Sequence, residues 1–174
     1  MSAAPENLER LKSMMEAATL SMTWHPVKII LCAPIYKYYS GEAYRAADGR
    51  FAIAIKPDLD LAKFYMVWLH EMGHIFRGDC DEMLPRILSP EMEKAYVENG
   101  PLGAPFFQEE TAEELKEYRE SPEEMDANSF ALDMDHIATF EALHLYGNIE
   151  IESRIRVLMN VILTPLKEEE KSHD

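Results

Sequence analysis

The segment His70-Glu71-Met72-Gly73-His74 has the residue types and the spacing needed to bind a metal ion and to move a proton. On a helix, residues four apart project from one face, so both imidazoles can reach a single zinc ion. Glu71 is rotated by roughly 100° from His70, so it misses the metal. It can instead take a proton from a zinc-bound water and pass it to a leaving amine. The spacing predicts zinc-dependent peptide hydrolysis with Glu71 as the general base.

A catalytic zinc site needs a third protein ligand, and the sequence offers several candidates. In the spacing HExxHxxGxxH, position 77 would be Gly and position 80 His, but these residues are Arg77 and Cys80. Cys80 could still bind zinc, although the missing glycine removes the tight turn that this spacing needs. Glu124 is the better candidate, and Glu123 and Asp126 are the alternative carboxylates.

Glu124 and Asn128 share one face of a helix predicted to begin at Ser121-Pro122. Glu124 could ligate the metal while Asn128, one turn later, accepts a hydrogen bond from the far nitrogen of a ligand histidine. Such a contact would fix the tautomer of that histidine. In the competing interpretation, Glu124 only completes a capping box with Ser121. We favour the first interpretation, and the second stays open at this point.

Helices at regular positions should carry these motifs. Apolar residues at helical spacing and capping signals predict helices over 6–22, 59–77, 90–98, 112–119, 122–146 and 150–163. Gly78 is placed to end the helix that bears both histidines. Gly73, a small residue on that helix, would let another element approach the site closely.

Short β-branched apolar runs predict strands over 27–32 and 51–55, and the segment 36–39 could pair with the second of them. We therefore expect an α+β fold in which a small, mainly antiparallel sheet packs against the HExxH helix. The zinc should lie in a cleft between helices 59–77 and 122–146. The chain should form a single domain, with an acidic insertion or lid at about 85–120.

The composition narrows the possible partners. The chain has 174 residues and a formal net charge of −15, which argues against a nucleic-acid-binding surface. It contains no apolar run of the roughly 20 residues that a membrane-spanning helix needs. Its first residues lack the basic start and apolar stretch of a secretory signal, and it has only two cysteines. We therefore expect a cytoplasmic protein; the alternative is the mature form of a secreted protein without its signal.

Two motifs make the chain resemble a known family. His70-Glu71-x-x-His74, the later Glu124-x-x-Ala127-Asn128-x-Phe130-Ala131 and the preceding small sheet are similar to ImmA/IrrE-type metallopeptidases. These gluzincin-like, zincin-fold enzymes occur in prophages, mobile elements and bacterial stress regulation. The resemblance implies that His70, His74 and Glu124 bind zinc and that Glu71 is the catalytic base. It also implies action on a DNA-binding repressor in the cytoplasm. The family often has Asp where Asn128 stands.

Three functional hypotheses follow. The leading one is a zinc-dependent endopeptidase that acts on a cytoplasmic protein or peptide, such as a transcriptional repressor. The second is a zinc-containing regulatory protein that cleaves nothing and whose acidic surface binds a basic DNA-binding partner. The third is a metal-free helical scaffold. It requires that the occurrence of four residues at this spacing is a coincidence, namely His70, Glu71, His74 and Glu124.

Overall fold

This protein combines helices with a small three-stranded sheet, and its structure is a computed structural model. The structure describes residues 5–31, 40–45, 50–82 and 111–163. The elements in chain order are α1 (Pro5–Thr23), β1 (Val27–Leu31), β2 (Gly41–Arg45), β3 (Phe51–Ile55), α2 (Leu61–Arg77), α3 (Asp79–Glu82), α4 (Ala112–Arg119), α5 (Pro122–Tyr146) and α6 (Ile151–Leu158). The predicted α+β class is confirmed.

The sheet has three strands in the order β1-β3-β2. Every residue of the central strand β3 is buried, which agrees with its continuous apolar sequence. β1 pairs with β3 in parallel, whereas β2 pairs with β3 in antiparallel. The prediction of a mainly antiparallel sheet is therefore wrong. After β1, the chain forms β2 at the far edge of the sheet, and β3 then lies between β1 and β2. The predicted strand 36–39 lies outside the described residues.

Helix α2, which carries both histidines, has well-defined ends. Asp60 is its N-cap and accepts a hydrogen bond from the backbone N–H of Lys63 at 2.8 Å. Its C-cap Gly78 donates its backbone N–H to the carbonyls of the last turn. Trp68, which is fully buried, donates its indole N–H to Thr19 Oγ1 of α1 at 2.9 Å. The predicted helix over 59–77 is confirmed, with a start two residues later.

Helix α5 crosses α2 at very short range. A Cβ atom added at Gly73 would lie 3.3 Å from Ala127 Cα and 3.1 Å from Phe130 Cδ1. The expectation that Gly73 admits a neighbouring element is thus confirmed. The buried positions of α5 are mostly alanines, which allows this approach without large side chains between the helices. Phe130 also stacks on Phe76, with ring centroids 5.5 Å apart.

The other predicted helices are confirmed in part. The helices over 6–22, 112–119 and 122–146 are confirmed, and the last ends at Gly147 as expected. The final helix is shorter than predicted, since it covers Ile151–Leu158 rather than 150–163. The predicted helix over 90–98 and most of the predicted insertion lie outside the described residues. Within the part of the chain that is described, no helix combines the length and apolarity needed to cross a membrane.

Candidate metal centre

Three candidate metal ligands from two helices converge at one point. His70 and His74 of α2 place their Nε2 atoms 3.1 Å apart. Glu124, in the first turn of α5, places Oε2 3.0 Å from His70 Nε2 and Oε1 3.0 Å from His74 Nε2. The ligand atoms of these residues all lie within 4.8 Å of one another. The structure therefore brings together the two histidines and the carboxylate that were predicted from the sequence as metal ligands.

The spacing and burial of these atoms fit a metal ion. Tetrahedral bonds of about 2.0–2.1 Å place ligand atoms about 3.3 Å apart, close to the separations found here. His74 is fully buried and Glu124 is 5% exposed. Among the described residues, no hydrogen-bond donor is aligned with the buried Glu124 Oε1, although His74 Nε2 lies close to it. Since a buried carboxylate oxygen without a donor is costly, a cation at this point would compensate it.

The alternative role of Glu124 as a capping residue is not realised by its side chain. Ser121 does cap α5, since its Oγ accepts the backbone N–H of Glu124 at 3.3 Å. However, the backbone N–H of Ser121 donates to the carbonyl of Tyr118 at 3.0 Å, and the Glu124 carboxylate faces the histidines. A complete capping box exists one helix earlier, where Glu114 Oε2 accepts the backbone N–H of Thr111 at 2.8 Å.

The other candidate third ligands lie apart from this point. Within the described part of the chain, the group able to hold an ion contains His70, His74 and Glu124 and none of the alternatives. Asp126 instead pairs with Arg77, which ties the end of α2 to α5. The tie helps to fix the distance between the two helices that supply the ligands.

Each histidine is held from behind by a second side chain. Asn128 Oδ1 lies 3.0 Å from His70 Nδ1, the contact that the helical spacing predicted. Asp79 Oδ2 lies 3.4 Å from His74 Nδ1. Both partners can accept an Nδ1–H, and this tautomer directs the Nε2 lone pair of each ring towards the shared point.

The contribution of Asp79 was not predicted from the sequence. The chain turns at Gly78, and α3 begins at Asp79, so the carboxylate folds back against the last turn of α2. Arg77 Nε lies 3.7 Å from the same Asp79 oxygen, which holds the carboxylate in place. An acidic residue directly after a helix-ending glycine is the only sequence signal for this contact, and that pattern is common in proteins.

The local charges shift the ionisation of the three ligands. Burial lowers the pKa of His74, but its contacts with Asp79 and Glu124 outweigh burial and raise the pKa to about 9. The pKa of His70 is raised as well, because Glu124 and Glu71 outweigh its burial. Burial acts against the charged form of Glu124, yet contacts with His70, His74 and Tyr118 bring its pKa below the usual range. Without a metal, the site thus holds protons that an arriving cation must displace.

Glu71 lies beside the three ligands but does not belong to them. It is 5% exposed and lines a cleft of about 570 Å³ that His70, Glu124 and Asn128 also line. The first residue of β2, Gly41, lies directly against it, since a Cβ there would be 3.1 Å from Glu71 Oε1. The same Cβ would overlap Val67 Cγ1, so a side chain at position 41 would displace Val67 and press on Glu71. The arrangement places an acidic group next to the candidate metal position and inside a cavity large enough for part of a peptide.

Comparisons of the chain with protein-family models, with curated proteins and with solved structures found no match. The geometry of this site is therefore the structural basis for a proposed activity.

Proposed function

We propose that the protein is a zinc-dependent endopeptidase of zincin-like organisation, with His70, His74 and Glu124 as metal ligands. The observation that carries this proposal is the convergence of two imidazole nitrogens and one carboxylate within 4.8 Å. Two histidines and one glutamate form a donor set used by catalytic zinc sites, which keep a further position open. A bound zinc ion would polarise the scissile carbonyl and lower the pKa of water at the site.

The protein's own residues account for the other parts of the reaction. Glu71 accepts a proton from the attacking water and delivers it to the amine nitrogen as the C–N bond breaks. Asn128 and Asp79 hold the two imidazoles in one tautomer and orientation. The cleft between α2 and α5 receives the peptide, and its apolar residues exclude water from the reacting carbonyl. These apolar residues are Met66, Val67, Ala131 and Leu132.

For the substrate, we propose a cytoplasmic protein, and specifically a DNA-binding repressor. The support for this part is the resemblance of the two motifs to ImmA/IrrE-type metallopeptidases. A different protein substrate would leave the peptidase proposal intact.

The substitution Glu71→Gln tests the mechanism because it removes the base and keeps the shape of the side chain. We expect the variant to retain zinc and to lose cleavage of an internally quenched peptide library by at least about a hundredfold. Glu113→Gln, which makes the same chemical change at an exposed position of α4, serves as the control. Unchanged cleavage by the Glu71 variant would remove Glu71 from the mechanism.

A second candidate function is a regulatory protein that holds the metal and cleaves nothing. The observation in its favour is the net charge of −15, which would attract a basic DNA-binding partner. This candidate predicts that partner binding survives Glu71→Gln. It also predicts that binding is lost when exposed carboxylates of α4, such as Glu113 and Glu117, are exchanged for glutamine.

A further inference from the structure

Two cations in the cleft have no partner within the described part of the chain. Lys63 and Arg119 line the cleft, and both side chains are exposed and form no ion pair or hydrogen bond with another described residue. The other described lysines and arginines all have partners. They are Arg10, Lys12, Lys28, Arg45, Arg50, Lys56, Arg77, Lys116, Arg154 and Arg156.

This distribution is unexpected for the composition. The chain has 32 acidic residues against 17 basic ones, so a cation at the surface has many carboxylates available to it. The carboxylates that line the cleft are Glu71 and Glu124, and Glu124 is already engaged by the histidines. Lys63 and Arg119 thus add positive charge to the wall of a cleft in an otherwise acidic protein.

Lys63 occupies a defined distance from the metal ligands. It lies on α2 seven residues before His70, so it is on the same face and about 10 Å away along the helix axis. An extended peptide advances about 3.3 Å per residue. A carboxylate about three residues from the scissile bond would therefore reach the ammonium group of Lys63.

Arg119 lies on another wall of the same cleft. It ends α4, directly after Tyr118, whose side chain contacts Glu124. The turn between α4 and α5 places Arg119 close to the metal ligand on α5 in sequence and, through Tyr118, in space. The two cations therefore belong to two different elements that border one cavity.

We propose that Lys63 and Arg119 select substrates with acidic side chains flanking the scissile bond, an inference that rests on the proposed peptidase function. An ion pair with a peptide carboxylate would be partly screened by solvent, so each contact should contribute a modest preference. The protein's remaining acidic surface would repel the same peptide elsewhere, which confines its binding to the cleft.

The test uses internally quenched ten-residue peptides with randomised apolar central residues. The residue three places before or after the centre is Glu, Gln or Lys. We expect wild-type protein to cleave the Glu peptides about threefold better than the Gln peptides and about tenfold better than the Lys peptides. Lys63→Glu together with Arg119→Glu should reverse this order. A double variant with the same change in net charge, Lys12→Glu with Lys116→Glu, lies outside the cleft lining and should keep it.

Binding of the same peptides to Glu71→Gln protein, measured by calorimetry, separates this inference from the proposed function. A Glu preference in binding that the cleft double variant reverses supports recognition of acidic peptides by Lys63 and Arg119. If wild-type protein then cleaves nothing, the peptidase proposal alone is rejected. Cleavage with no charge preference, or a preference that the control variant also reverses, overturns the inference and leaves the peptidase proposal standing. If no peptide is bound or cleaved, both are overturned.

Discussion

Helix α5 carries two polar clusters that differ in one respect, namely whether the carboxylate pairs with a permanently charged side chain of the protein. At its middle, Asp135 Oδ1 accepts hydrogen bonds from Arg154 Nη1 at 2.8 Å and from Thr139 Oγ1 at 3.4 Å. Arg154 also donates from Nε to the carbonyl of Ile149 at 2.8 Å and lies over the ring of Tyr65. We call this group the Asp135 cluster. The Asp135 carboxylate and the Arg154 guanidinium pair with each other, so this cluster needs no added cation.

The cluster at the start of α5 has the opposite character. Two Nε2 atoms and the two oxygens of Glu124 crowd around one point, and no hydrogen-bond donor is aligned with Glu124 Oε1 in the described part of the chain. The Asp135 cluster joins α5 to α6 by an internal ion pair, whereas the cluster at Glu124 requires protons or a cation. Although both are acidic residues on the same helix, Asp135 is thus paired within the protein, whereas Glu124 is placed where it could hold a metal ion.

The largest expected difference between the clusters is the response of stability to zinc. At a free zinc concentration about a hundred times Kd, wild-type protein should gain about 2.7 kcal/mol, which raises Tm by about 5–10 °C. Glu124→Ala should abolish this gain, because the ligand is removed. Thermal unfolding of both proteins with zinc and with a chelator measures the effect. An equal gain in both proteins would show that the zinc binds elsewhere.

The dependence of zinc affinity on pH is the next effect in size. The pKa of His74 is raised to about 9 in the metal-free protein, so a proton occupies this imidazole at neutral pH. Zinc needs the neutral ring, and its affinity should therefore fall as pH falls, by up to about tenfold per unit for one displaced proton. Competition with a chelator between pH 6 and 8, corrected for the chelator's own protonation, measures this slope. An affinity independent of pH would contradict histidine ligation.

A smaller effect is expected from the residue that positions His70. Asn128→Ala removes the acceptor that lies 3.0 Å from His70 Nδ1 and should weaken zinc binding by about tenfold. The matched control is Ser129→Ala, because Ser129 is exposed and its hydroxyl donates to the carbonyl of Met125 in its own helix. Zinc titration of the two variants compares them. If both retain wild-type affinity, the contact of Asn128 has no role in binding.

The smallest effect concerns the Asp135 cluster. Arg154→Ala should lower the free energy of unfolding by about 1 kcal/mol, since the Arg154–Asp135 pair is only partly buried. The loss should be the same with and without zinc. Chemical denaturation under both conditions provides the measurement. A loss that depends on zinc would mean that the two clusters are coupled through α5, which would contradict their independence.

Local signals in the sequence were sufficient to predict most of the helices. Capping residues and apolar spacing placed α2, α4 and α5 within two residues of their observed ends. The same helical spacing predicted that His70 and His74 share a face, and that Asn128 lies one turn after Glu124. These contacts depend only on the geometry of one helix or on the approach of two helices. Gly73 signalled that approach.

Features that depend on chain crossings were not predictable in this way. β2 begins with Gly41 and contains the buried Glu42, so it lacks the alternating apolar pattern that marks a strand. Its pairing with β3 is decided by the sheet and not by its own sequence. The parallel pairing of β1 with β3 likewise depends on the path of the chain between them. Asp79 was missed because its contact requires the reversal at Gly78.

The metal content of the purified protein, measured by mass spectrometry, is the most direct test of the central claim. Wild-type and Arg154→Ala proteins should each hold about one zinc per chain after reconstitution, whereas His70→Ala and Glu124→Ala should hold none. That result would establish His70 and Glu124 as ligands and the contrast between the two clusters. Zinc retained by Glu124→Ala, or a wild-type protein that binds no zinc, would contradict the account.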